Sequence, residues 1–156
     1  MQYGFTMRHK VVLDCDWSVI EGTLCLRKLA YAAPSLGRFG EFKFTVPYCC
    51  NQFRKDPQRQ ARHFGGLVWS AGTPGSYYSD LIPQNFASLF DKLGHRPVSL
   101  CFYAKGLQRC RLLERWLPQV TNLENLGCPK YQNLTSLKKT TLLKAVTFAL
   151  WVHSCE

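Results

Sequence analysis

The sequence predicts an α/β domain. Three antiparallel strands open a mixed sheet, helix-linked strands continue it, and helices flank it. Three observations carry this expectation. Residues 10 to 48 hold three strand-like segments joined by short connections. After residue 81, helical spacing and short apolar runs alternate. A chain of 156 residues that is 46% hydrophobic and 13% aromatic can build one core, and its length suits a single domain spanning 1–156.

Val11-Val12-Leu13 is β-branched and apolar and reads as a buried strand ending at Asp14. TLCLRKLAYAA, residues 23 to 33, reads as a second strand with Arg27 and Lys28 inside it, helix being the rival assignment. EFKFTVPY alternates, with Phe42, Phe44 and Val46 on one face and Lys43 and Thr45 on the other; Pro47 stops this third strand. Asn51 to Phe64 is a polar, basic helix candidate interrupted by Pro57 and closed by Gly65-Gly66. Leu67-Val68-Trp69 is a short apolar segment, and SAGTPGSYYSD is loop by composition.

Ile82, Phe86, Leu89, Phe90 and Leu93 recur at helical spacing, with Gly94 as a stop signal. VSLCFYAKG, after Pro97, reads as a central strand apolar on both faces. Leu107 to Leu117 reads as an amphipathic helix ended by Pro118. Its apolar side holds Leu107, Cys110, Leu112 or Leu113, Trp116 and Leu117; Arg109, Arg111 and Arg115 share the other. VTNLENLG is a short strand and turn, and Ser136 to Trp151 a last helix with Leu142, Leu143, Val146 and Leu150 as its apolar residues. Three strands, helix, strand, helix, strand, helix is the order of a ribonuclease-H-like fold.

Twenty Lys+Arg against ten Asp+Glu give a formal net charge of +10. That excess favours polyanionic partners, nucleic acid (RNA or DNA) before acidic lipid. The charge is clustered. Arg54, Lys55, Arg59 and Arg62 form one group and Lys105, Arg109, Arg111 and Arg115 another, with Lys130, Lys138, Lys139 and Lys144 in the tail. The first two groups are the candidate nucleic-acid-binding residues, through backbone phosphates. Tyr77-Tyr78 could stack bases, although a loop or core role suits them better.

Eight cysteines without a CxxC pair, and no apolar leader after Met1, point to an intracellular, reducing setting with thiols used as small hydrophobes. Ala145 to Val152, the longest apolar run, is too short to span a bilayer. The sequence contains no GxSxG, P-loop or GxGxxG, so serine hydrolysis and nucleotide-phosphate chemistry have no support.

KVVLDCDW ends an apolar run in Asp14 and Asp16, one residue apart. Both point to one side if the strand continues, and together they could hold Mg²⁺ or Mn²⁺, hard cations that take oxygen ligands. Two-metal phosphodiester chemistry needs more carboxylates than these. Asp14 and Asp16 are therefore the candidate catalytic and metal-binding residues, with Glu124, Asp80 and Asp91 as possible additions.

VVLDCDW, TLCLRKLAYAA, CFYAKGLQRCRLLERWL and VTNLENLGCPKY, in that order from Val11 to Tyr131, resemble the DEDDh family of 3′–5′ exonucleases. They are more similar still to exonuclease-like proteins of mobile elements and viruses. The resemblance implies a ribonuclease-H-like sheet carrying its first acids at Asp14 and Asp16. It also implies departures from the family. The first motif is Asp-x-Asp rather than Asp-x-Glu. The helix after the central strand offers Lys105, Gln108 and Arg109 where the family has an Asp. The last helix has His153 but only Glu156 beyond it. A cation in place of metal still attracts phosphate. The first expectation is therefore a nucleic-acid-binding protein on a degenerate exonuclease scaffold. An active Mg²⁺- or Mn²⁺-dependent exonuclease using Asp14 and Asp16 is the second. A protein-interaction module that antagonises a host factor is the third.

Overall fold

Two turns of alternation along one strand set out the architecture. β1 (His9–Ile20) places Val11, Leu13 and Cys15 on one face of the sheet and Val12 and Asp14 on the other. The computed structural model describes residues 8–20, 23–45, 76–78, 82–94 and 99–155. β2 (Thr23–Ala33) and β3 (Arg38–Thr45) follow antiparallel, joined through a 3-10 turn at Pro34–Leu36. β4 (Ser76–Tyr78) runs parallel to β3 at the edge. β5 (Leu100–Ala104) lies parallel to β1, and β6 (Val120–Asn122) parallel to β5. The six strands lie in the order β4-β3-β2-β1-β5-β6. This is the expected α/β class, with a mixed sheet opened by three antiparallel strands.

Helices α1 (Ile82–Leu93) and α2 (Leu107–Leu113) cover one face, where Leu89, Leu93, Cys110, Leu112 and Leu113 pack on Leu13, Leu29 and Phe102. Helices α3 (Tyr131–Leu134) and α4 (Thr141–Ser154) cover the other, where Tyr131, Ala145, Phe148, Ala149 and Val152 pack on Val12, Ala30 and Ala32. No described helix is long and apolar enough to cross a membrane.

Several details differ from expectation. β1 does not end at Asp14; it pairs with β2 as far as Ile20↔Thr23, with a bulge between Asp16 and Trp17. Ladder pairing continues past the acids because both are satisfied by side chains from other elements. Ser76–Tyr78 is a strand despite its loop-like surroundings, since β3 offers it a ladder. α2 stops at Leu113 and passes through turns to Leu117. The last helix begins at Thr141 rather than Ser136, with Thr140 as its N-cap accepting from the Leu143 N–H at 3.1 Å. Its buried stripe is Thr141, Lys144, Ala145, Phe148, Ala149 and Val152, whereas Leu150 is 56% exposed. The helix candidate at 51–64 and the apolar segment at 67–69 lie outside the described residues.

Candidate functional site

β5 stops where β1 continues. Val12 is the last β1 residue paired with β5, opposite Tyr103, so Asp14 stands just beyond the carboxyl end of β5. Crevices at the carboxyl ends of parallel strands are the usual ligand sites of open α/β sheets. The connection out of β5 turns at Gly106, whose φ of 107° suits glycine and whose N–H donates to Asn122 Oδ1 at 3.0 Å. The same Asn122 oxygen accepts from the Glu124 N–H at 3.0 Å, so one side chain ties together the exits of β5 and β6. A Cβ on Gly106 would lie 3.7 Å from Glu124 Oε1 and 3.8 Å from Arg109 Nη1.

Asp14 is 2% exposed and is held between two cations. Arg109 Nε, from α2, lies 3.1 Å from Oδ1, and Lys144 Nζ, from α4, lies 3.1 Å from Oδ2. Burial pushes the Asp14 carboxyl above its usual value, and the charges of Lys144 and Arg109 pull back against it. Arg109 Nε also donates to the Cys15 carbonyl at 3.3 Å, and its guanidinium lies 5.2 Å from the centre of the Trp17 ring. Asp16 is on the same side of the strand and accepts the Thr141 hydroxyl at 2.6 Å.

Around this triad is a cavity of about 220 Å³ lined by Asp14, Lys105, Arg109, Glu124, Lys130, Tyr131, Lys139, Lys144 and Phe148. Lys105 reaches it with its ammonium 5.7 Å from the centre of the Phe148 ring. Five cations thus meet two carboxylates, one of them buried between a pair of those cations.

The structure brings together Asp14, Asp16, Glu124, Lys105 and Arg109 among the sequence-derived candidates. Arg111 and Arg115 are exposed outside the cavity. Arg111 lies about 200° around the helix from Arg109, and Arg115 lies in the turns beyond the helix end, so the three do not share a helix face. Leu107, expected on the apolar side, is 56% exposed. Arg54, Lys55, Arg59 and Arg62 lie outside the described residues, as do Asp80 and Glu156, and the side chains of Tyr77 and Tyr78 are not described. Asp91 sits on α1, across the sheet from the acids. His153 is about 18 Å along α4 from Thr141, at 1.5 Å per residue, far from where the family motif would need it.

Lys144 and Thr141 were present in the sequence as a tail lysine and an ordinary threonine. The available signal was spacing. Both fall on the stripe of Ala145, Phe148, Ala149 and Val152, and a lysine in an apolar stripe calls for a buried counter-ion.

A divalent ion does not fit this arrangement. Each Asp14 oxygen that would ligate it faces a protein cation at 3.1 Å. Among the described residues no three His, Cys, Asp or Glu side chains converge as a metal cluster. Cys15, Cys101, Cys110, Cys128 and Cys155 are free thiols, with Cys15, Cys110 and Cys128 buried and Cys155 exposed. No protein-family model and no curated protein matches this chain.

Proposed function

We propose that the protein binds nucleic acid through backbone phosphates on a degenerate exonuclease-like scaffold, without cleaving it. The observation that carries this reading is the pair of cations on Asp14. Arg109 and Lys144 occupy the two directions from which a metal would approach the first acid. What remains is a cleft with an excess of positive charge, suited to phosphate and not to a hard cation. The central order β3-β2-β1-β5-β6, with its first three strands antiparallel, supports a ribonuclease-H-like reading of the sheet. Phosphate contacts position a strand without reading bases, so binding is weakly sequence-specific and strongly salt-dependent.

The test uses end-labelled single- and double-stranded RNA and DNA with Mg²⁺ or Mn²⁺, comparing wild type with Asp14→Asn and Asp16→Asn. The expected result is retention without shortening in wild type and in Asp16→Asn, and in Asp14→Asn under conditions where circular dichroism shows it folded. Shortening that disappears in the variants would overturn the proposal in favour of an active exonuclease. Absence of salt-dependent retention on every nucleic acid would leave the protein-interaction module as the surviving reading.

A further inference from the structure

A second cavity, of about 470 Å³, adjoins the first. Lys28 on β2 bounds it on one side, and Lys138, Lys139 and Thr141 bound it where the chain enters α4. Lys139 and Lys144 wall both cavities. Among the described residues, the only carboxylate lining this second cavity is Asp16, which already accepts the Thr141 hydroxyl. Lys144 is committed to Asp14. Lys28, Lys138 and Lys139 make no ion pair with any described residue.

This arrangement differs from a merely solvated basic face. Lys28 stands directly opposite Asp16 in the β1–β2 register, so the sheet fixes its position. Like charges gathered around one cavity repel, and a bound anion relieves that repulsion. The space far exceeds what a single phosphate group fills, since one water accounts for only about 30 Å³ of liquid. A sugar-phosphate unit suits it better than a lone ion.

We infer that this second cavity is a second phosphate subsite, and that the two cavities take successive phosphates of one nucleic-acid strand, with Lys139 on the wall between them. The inference rests on the nucleic-acid reading above. It assigns the first phosphate to Lys105 and Lys130 and the next to Lys28 and Lys138, Lys139 serving both.

The experiment is a fluorescence-anisotropy titration of a fluorescein-labelled oligothymidylate at salt concentrations between about 50 and 200 mM. Four proteins are compared: wild type, Lys28→Gln/Lys138→Gln, Lys105→Gln/Lys130→Gln, and Arg38→Gln/Lys92→Gln as a control of equal charge change at exposed residues outside both cavities. Each phosphate contact on a single strand contributes about 0.7 to the slope of log affinity against log salt. Each cavity variant removes the contact to one phosphate and should therefore lose about 0.7 from that slope, with the control unchanged. Should Lys28→Gln impair folding, Lys138→Gln alone should still lower the slope, by at most about 0.7.

A loss confined to the Lys105/Lys130 variant would overturn the second subsite and leave the nucleic-acid reading standing. So would equal losses in all three variants, which would mean that only net charge matters. Wild-type binding unaffected by either cavity variant would overturn the inference and put the contacts elsewhere. No binding by wild type to this oligonucleotide, nor to the RNA and duplex probes used above, would instead remove the reading on which the inference rests.

Discussion

The two faces of β1 differ in kind although their residues alternate along one strand. Val11, Leu13 and Cys15 enter an apolar cluster with α1 and α2. Val12 enters the cluster under α4, but its next neighbours on that face, Asp14 and Asp16, meet Lys144, Arg109 and Thr141. One face is stabilised by removing apolar surface from water. The other buries a charge whose desolvation is only partly offset by its partners, as the upward push on Asp14 shows. A protein retains such a triad at a cost in stability, which is why the α4 face, not the α1 face, is the place to look for function.

The largest effect should come from breaking the triad on one side only. Asp14→Asn leaves Lys144, itself 8% exposed, without its counter-charge, and should destabilise by about 3–5 kcal/mol in chemical denaturation. Replacing the pair together, as Asp14→Leu/Lys144→Met, should recover most of that loss, because well-packed apolar residues often match or exceed a buried ion pair. If the double variant were as unstable as the single one, the triad would be a net stabiliser and the contrast between the faces would fail.

On the apolar face, Leu13→Ala should cost about 3 kcal/mol and leave the salt slope of nucleic-acid binding unchanged. A changed slope would show that the two faces are not separable.

The smallest effect concerns thiols. Burial in the α2 cluster, aided by Glu114 and Glu124, pushes Cys110 up to about 11 from an ordinary 9.0. Its thiolate fraction near neutral pH is then about 100-fold below that of an ordinary thiol, and its alkylation rate should climb with pH until about 11. Mass-mapped alkylation of the native protein at neutral pH should label the exposed Cys155 well before Cys110. Early labelling of Cys110 would mean that the α2 face opens readily.

The sheet was legible because its signals are local. Thr23 to Ala33 begins and ends where the apolar run does, and the alternation of Phe42 and Phe44 gives β3 its buried face. Gly94 ends α1 with its N–H on the carbonyls of Phe90 and Asp91, as its composition suggested. The site was legible only in part. Asp14 looked like a strand end because an acid in an apolar run is normally on its way to water; here cations 95 and 130 residues away in sequence hold it inside. The Arg109, Arg111 and Arg115 group looked like one face because proximity in sequence hides the 100° step of a helix. Lys144 was read as part of a tail, since nothing in its immediate neighbours reveals the carboxylate it meets.

The early end of β5 has one more consequence. From Leu13 onward, no described strand pairs with β1 on the side that β5 leaves, so the β1–β2 ribbon carries an open ladder there. Open ladders recruit strands from other molecules, and proteins commonly blunt them with charged side chains. Arg109 does so here, taking the carbonyl of Cys15 and lying against Trp17. The residue that holds the buried acid is therefore also the guard of an edge, and a chain without it exposes a ready template for aggregation.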